Sequence, residues 1–377
     1  MEHARFNPSK LKKARIARGL TKKELAERTG ISRQMVSNYE LGKTQPGATN
    51  LLAIVSELNF PYNYFTSENK GFYEGATFFR SQSAATKRTR DMQAVRLEFQ
   101  KEIYDFLSRY VNFPKLTLPE TLMKNIYDIT NEDIENKAAE LRKCWGLGEN
   151  LPIANLIESA EVHGVIVVES TMSDDTLDAV SEWIEDRPFI MLTDNGESAV
   201  RRRFNVAHEL GHILLHGDVE SIHDYTPQEL KNVIEKQAHY FASCLLLPEK
   251  GFLDSLLSTN LDFYIELKKR WKVSIQAMVM RTFQLELISE DQRLYLFRRI
   301  AYNKWKKKEP LDDEMSVEKP SLYRKVFELI VNNDILQKNE ILSYLSLPQD
   351  ELEKSLDVSI ATDETIVQKA PTLRIIK

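Results

Sequence analysis

Cys144 and Cys244 are the only cysteines in 377 residues. That excludes a disulfide scaffold and an all-cysteine zinc site. No stretch approaches about 18 uninterrupted apolar residues, so no transmembrane helix and no membrane partner are expected. The opening Met1-Glu2-His3-Ala4-Arg5 leads into no apolar signal segment, and the chain reads as cytoplasmic. There is no internal repeat and no low-complexity tract. What is present is ordinary globular composition, 42% hydrophobic and 28% charged, which excludes disorder as the main state. At about 150 residues per domain the length allows two or three domains.

Charge is unevenly spread. The formal −5 of the chain divides into +6 over residues 1–67 and −11 over the rest. A basic end on an acidic body suggests one module that meets an anion, with nucleic acid the default candidate. The same segment carries four or five short helical patterns. Pro8 to Arg18 is the first, ended by Gly19-Leu20. Thr21 caps the second, with Glu24 completing a capping box, and Gly30 stops it. Ser32 caps a third that runs to Tyr39-Glu40 before Gly42, and Asn50 to Leu58 is a fourth. Helices this short must pack on one another.

The second and third form a helix-turn-helix. Gly30 suits the left-handed turn, and Leu25, Ala26, Ile31, Val36 and Leu41 are expected to supply the contacts between helices. Outward on the third helix stand Arg33, Gln34, Ser37 and Asn38. Arg matches the guanine O6/N7 edge, and Gln and Asn match adenine N6/N7. Lys22 and Lys43 would reach phosphates and set register. The plainer alternative is a helical packing module with a polar face. The run Thr21-Lys-Lys-Glu-Leu-Ala26, then Gly30-Ile-Ser-Arg-Gln-Met-Val-Ser-Asn-Tyr-Glu-Leu-Gly-Lys43 and Pro46, resembles the XRE-type (Cro/CI-like) helix-turn-helix family. The resemblance covers about residues 6–67. It implies an all-α five-helix domain that lays its third helix in the major groove, usually as a homodimer on a double-stranded operator.

Beyond it, residues 60–90 read as a connector, and Asp91 to Val111 and Asn131 to Trp145 read as helices. Val165–Val168 is a continuous apolar β-branched run, and Phe189–Leu192 is a second strand. Pro188 at its start predicts an edge strand, which could align substrate backbone. Residues 199–281 are helical in pattern. Glu309 to Lys319 reads as a second linker. The last sixty residues read as two or three helices and a short strand, without a legible role.

Five of the seven histidines fall between His208 and His239. His208-Glu209-Leu210-Gly211-His212 is an H-E-x-x-H pattern. On a helix both imidazoles share one face and can reach one ion, with Glu209 beside them to hold a water. Phe204, Ala207, Leu210, Gly211 and Leu214 give that helix an apolar back. A zinc hydrolase needs a third protein ligand. Downstream stand Asp218, Glu220, Asp224, Glu229 and Glu235. Glu229 is explained as the capping-box partner of Thr226. Glu235 shares a small-residue face with Ala238, His239 and Ala242, and reads either as a ligand or as a solvated helix charge.

Arg203-Phe-Asn-Val-Ala-His-Glu-Leu-Gly-His212-Ile-Leu-Leu-His216, with Glu235, Ala238, Phe241-Ala242 and Leu247-Pro248, resembles the ImmA/IrrE family of metallopeptidases. The resemblance covers about residues 130–285. It implies Zn2+ held by His208, His212 and Glu235, with Glu209 as general base. His239 stands where the family often has Asn or Asp. His216, His239, Tyr225 and His223 are candidates for positioning or oxyanion roles, His223 being expected on a loop.

The expected fold is thus α+β multidomain. An all-α helix-turn-helix domain spans 1–67, and a connector with a long helix spans 68–129. A zincin-like α+β domain with a small sheet spans 130–290, and a mostly helical segment spans 291–377. The expected function is a DNA-binding regulator whose metalloendopeptidase domain cleaves a repressor, or itself, in mobile-element or stress gene control. The alternative is a non-proteolytic repressor whose zinc domain senses or dimerises.

Overall fold

The computed structural model describes residues 6–66, 87–170, 179–216 and 227–359. Five short helices come first: α1 (Pro8–Ala17), α2 (Lys22–Thr29), α3 (Arg33–Glu40), α4 (Ala48–Leu58) and α5 (Tyr62–Thr66). Their ends are set by local chemistry. Asn7 caps α1, Thr21 and Glu24 form a reciprocal capping box on α2, and Ser32 accepts the Met35 N–H to cap α3. Gly30 turns the chain at φ 70°, a left-handed conformation that a side chain would strain. Leu11, Ala14, Leu25, Val36, Ile54 and Leu58 fill the middle. Leu41 does not join them. α3 ends at Glu40, and Leu41, its C-cap, is 61% exposed.

The long helix α6 runs Lys87–Leu107, starting and ending four residues earlier than its sequence pattern suggested. After a short 3-10 turn (Ile126–Asp128) come α7 (Asn131–Cys144) and α8 (Leu156–Val162). The sheet has three strands, β1 (Ile166–Ser170), β2 (Ala179–Ile184) and β3 (Arg187–Thr193), in the order β1-β3-β2. β3 is parallel to β1 and antiparallel to β2. Phe189–Leu192 is therefore central, not an edge, which removes it as the strand that receives substrate. Pro188 is tolerated because it pairs only with Trp183 of β2, one residue before the ladder to β1 begins at Phe189.

Both faces of this sheet are covered, which explains the unbroken apolar runs. Ile166, Val168, Val180, Phe189 and Met191 face a core shared with α6 and the N-terminal helices. Val167, Ile190 and Leu192 face the core of the metal helices, α9 (Ala199–Leu215) and α10 (Pro227–Leu246). These two helices cross closely at Gly211. A Cβ there would meet the Ala238 Cα at 3.2 Å and the Phe241 ring at 3.1 Å.

α11 (Glu249–Ser255), α12 (Leu261–Trp271), α13 (Ile275–Gln284) and α14 (Glu290–Tyr302) complete this second core, which extends to Leu296 and Ile300. The stretch from Glu309 to Lys319 is not a free linker. Glu309 is buried and accepts hydrogen bonds from Lys268 Nζ (2.8 Å) and the N–H groups of Ile275 and Gln276, so it caps α13. Glu318 pairs with Arg203 of α9 and accepts the N–H groups of Leu156 and Ile157 at the start of α8. Three further helices follow, α15 (Leu322–Asn332), α16 (Lys338–Leu345) and α17 (Gln349–Leu356). They pack into the first core, between the N-terminal helices and the sheet. The short strand expected near the C-terminus lies outside the described residues.

Candidate metal centre and nucleic-acid interface

α9 presents His208 and His212 one turn apart, and α10 brings Glu235 to meet them. The Nε2 atoms of the two histidines are 3.0 Å apart, and Glu235 Oε2 lies 3.3 Å from His208 Nε2. His212 Nε2 is 3.8 Å from Glu235 Oε1. Candidate ligand atoms of all three lie within 4.8 Å of one another. Burial holds the Glu235 carboxyl up at about 7 and pushes His208 below its ordinary value.

This donor set suits a cation. Two imidazole nitrogens and a carboxylate converge where at most a proton or two could separate their lone pairs. His208 Nδ1 and Glu235 Oε1 are buried without a hydrogen bond among the described residues. Three N/O protein ligands are the donor set of a catalytic zinc site, whereas structural sites take four.

The histidines are held by a chain of hydrogen bonds that fixes their tautomers. Gln237 Nε2 donates to the Ile126 carbonyl at 2.7 Å, which aims Gln237 Oε1 at His216 Nε2, 3.0 Å away. A carbonyl oxygen only accepts, so His216 Nε2 carries the proton and neutral His216 offers Nδ1 as an acceptor. That nitrogen is 3.0 Å from His212 Nδ1, which donates to it and leaves the Nε2 lone pair facing the cluster. His216 and Gln237 are both buried.

Glu209 is buried beside the cluster, and its Oε2 accepts a 2.5 Å hydrogen bond from Ser181 Oγ of β2. Burial raises its carboxyl above the ordinary range. His239 turns aside. Its Nδ1 donates to the Glu235 carbonyl at 2.8 Å, and its ring stands 4.4 Å from that of His208. Tyr225, His223 and the capping Thr226 lie outside the described residues. Ser181 and Gln237 are contributions that sequence reading missed. Ser181 belongs to a strand too short and mixed to be recognised. Gln237 left a faint signal, a polar residue between buried Ile234 and Ala238.

At the other end, Arg33 and Gln34 are exposed on α3, with Ser37 and Asn38 half-buried on the same helix. Gln34 Nε2 donates to Asn38 Oδ1 at 3.1 Å, pre-ordering the pair. Lys43 is exposed. Lys22 is half-buried and engaged, 3.2 Å from Ser37 Oγ and 3.4 Å from Glu40.

Residues 11–65 match the helix-turn-helix family model, and residues 160–283 match that of the M78 peptidases, the IrrE N-terminal-like domain. The chain joins a helix-turn-helix module to an IrrE-like domain. It is 38% identical over 71 residues to the radiation response metalloprotease IrrE of Deinococcus radiodurans, covering 18% of this chain and 22% of that one. It is 38% identical over 64 residues to the HTH-type transcriptional regulator SutR of Escherichia coli, covering 17% of this chain and 36% of SutR. The chain thus matches only 22% to 36% of the length of these relatives. A Mycobacterium tuberculosis transcriptional regulator aligns at 18% identity with a TM-score of 0.30, covering 49% of this chain and 50% of that one. The IrrE-like domain contains the whole three-residue cluster, and the helix-turn-helix module contains α3. No helix among the described residues is long and apolar enough to cross a membrane.

Proposed function

We propose that the chain is a cytoplasmic DNA-binding regulator with a working zinc metalloendopeptidase domain. His208, His212 and Glu235 hold the metal, and Glu209 is the general base. The observation that carries this reading is the cluster itself: two imidazoles, that of His212 tautomer-fixed, and a carboxylate with ligand atoms within 4.8 Å, beside the buried carboxyl of Glu209. Zinc, when bound, supplies Lewis acidity toward water and a peptide carbonyl. Glu209 takes the proton from the attacking water and hands it to the leaving amine. Ser181 orients its carboxyl through the hydrogen bond from Oγ to Oε2. His239 is the described side chain best placed to meet the oxyanion, since its ring borders the cluster. The substrate is a repressor or the chain itself, and the biological setting is mobile-element or stress gene control.

On the DNA side, a homodimer places α3 in the major groove of a paired operator. Arg33, Gln34, Ser37 and Asn38 read bases, while Lys43 and Lys22 position the module on phosphates.

Metal content tests the peptidase half. Wild type should bind about one zinc per chain, and Glu235→Ala should lose it or bind far more weakly. Glu209→Gln should keep zinc and lose cleavage. Absence of zinc in wild type even after reconstitution would remove the peptidase and leave a repressor. Arg33→Ala tests the DNA half. It should cost about 1–3 kcal/mol on the preferred sequence and relax choice at one position. Equal competition by scrambled DNA at moderate salt would remove the operator.

A further inference from the structure

Residues 298–308 carry six lysines and arginines and no acid, which leaves −17 on the rest of 68–377. The run covers the end of α14 and the turn that follows it. Arg298, Arg299, Lys304, Lys306 and Lys307 are all exposed. None of these five has an ion pair among the described residues, while Lys308 is engaged by Asp313 at 2.6 Å.

The same face carries exposed aromatic rings. Tyr295, Arg298, Arg299 and Tyr302 follow i, i+3, i+4, i+7 spacing and so share one stripe of α14. A helix usually buries side chains at that spacing, yet Tyr295 is 56% and Tyr302 84% exposed. The stripe that does enter the second core is another one, with Leu296 and Ile300. Arg299 Nη1 donates to the Tyr295 hydroxyl at 3.4 Å. Past the helix, Trp305 packs against the second core, and its backbone N–H donates to the Ile300 carbonyl at 3.0 Å. The neighbouring lysines are thus carried on a held turn.

Cations at a helix C-terminus complement its last carbonyls, but only within the last turn. That accounts for a charge or two, not for five with two exposed tyrosines among them. Lysine is depleted in protein–protein interfaces and suits phosphates as a point charge. A duplex keeps its base faces stacked inside, whereas a single strand offers them to aromatic rings.

We propose that this face binds single-stranded nucleic acid, apart from the α3 surface. Tyr295 and Tyr302 stack on bases, and the five unpaired cations hold phosphates. At 1.5 Å per residue the two rings stand about 10.5 Å apart along the helix, with room for one base on each.

Fluorescence anisotropy of labelled oligo(dT), longer than the about 4–16 nucleotides such sites cover, tests it on the full chain. The log of the affinity should fall with the log of salt at a slope of about −3.5, about 0.7 for each of five phosphates. Tyr295→Ala and Tyr302→Ala should each cost about 5–150-fold, and Tyr302→Phe, which keeps the ring, far less. Lys43→Ala should weaken a random duplex of the same length and leave oligo(dT) binding unchanged. Thermal midpoints should match wild type in both alanine variants, since both rings are exposed. Alanine variants that bind oligo(dT) as wild type does, or that lose duplex and single strand equally, would overturn the proposal. So would displacement of oligo(dT) by poly-glutamate as readily as by unlabelled oligo(dT), since the face would then serve an acidic protein. Oligo(rU) in place of oligo(dT) tells whether RNA or DNA is the preferred strand.

Discussion

Gln237 touches no candidate ligand directly, yet it determines which nitrogen of His212 carries its lone pair toward the cluster. The Ile126 carbonyl orients the Gln237 amide, the amide orients His216, and His216 Nδ1 accepts the hydrogen bond from His212 Nδ1–H. Gln237→Leu keeps the bulk and removes both ends of the chain. His216 can then adopt either tautomer, and His212 Nε2 is protonated part of the time. Loss of such an outer partner costs about 10–100-fold in metal affinity. Competition with a chelator should show that loss without a comparable fall in thermal midpoint. The 15N shifts of His212 in metal-free protein should move from one tautomer toward a mixture. Unchanged shifts and unchanged zinc affinity would show that His212 needs no such control.

At the scale of elements, β2 stands between two functions. Ser181 faces α9 and holds Glu209, while Val180, Glu182 and Ile184 face α6. Burial pushes the Glu182 carboxyl up to about 8, and Glu98 of α6 adds to the rise. The folded chain therefore prefers Glu182 protonated, whereas the unfolded chain ionises it near its ordinary 4.5. Stability from this group is fully present below about 4.5, declines as pH rises through the window, and is lost above about 8. Glu182→Gln stays neutral throughout. Its thermal midpoint should match wild type near pH 5 and exceed it by roughly 2–4 °C at pH 9. An equal gain at both pH values would mean that packing, not ionisation, separates the two side chains.

β2 also shows where the sequence is legible and where it is not. α2, α3 and α9 were readable because their caps, turns and apolar stripes are local, and the H-E-x-x-H spacing needs only one helix. Sheet order is not local. Pro188 reads as the mark of an edge strand, but only Arg187 and Pro188 lack a neighbour on β1, and the rest of β3 is central. Leu41 looked like core because a helical stripe extended one residue would reach it, and α3 stops just short. The stretch from Glu309 to Lys319 looked like linker because it is acidic and lacks a period. Its carboxylates instead satisfy the N-termini of α13 and α8, partners far away in sequence. Ser181 and Gln237 escaped notice for the same reason.

Across the whole molecule, α17 is where the helix-turn-helix module and the IrrE-like domain are tied. Asp350 receives Arg18 of α1 at 2.7 and 3.0 Å, and Lys354 reaches Glu169 of β1 at 3.1 Å. Glu169 in turn pairs with Arg202 of the metal helix. Between these rim contacts lies the buried pair of Arg96 on α6 and Glu351, 3.2 Å apart, with side chains 6% and 2% exposed. Burial alone lowers the guanidinium and raises the carboxyl from their ordinary values, so each charge is tolerated largely through the other. Removing one partner leaves the other buried without its nearest counter-charge, which costs about 3–5 kcal/mol, whereas replacing both with apolar groups is close to neutral. Glu351→Ala should therefore lower the thermal midpoint sharply and make α6 more open to protease. Arg96→Met with Glu351→Leu should restore both to near wild-type values. The outer pairs behave differently. Asp350 is 42% exposed at its side chain, and Asp350→Ala should change stability by about 1 kcal/mol or less. A double variant as unstable as Glu351→Ala would show that the charges themselves, and not their mutual compensation, hold α17 against α6.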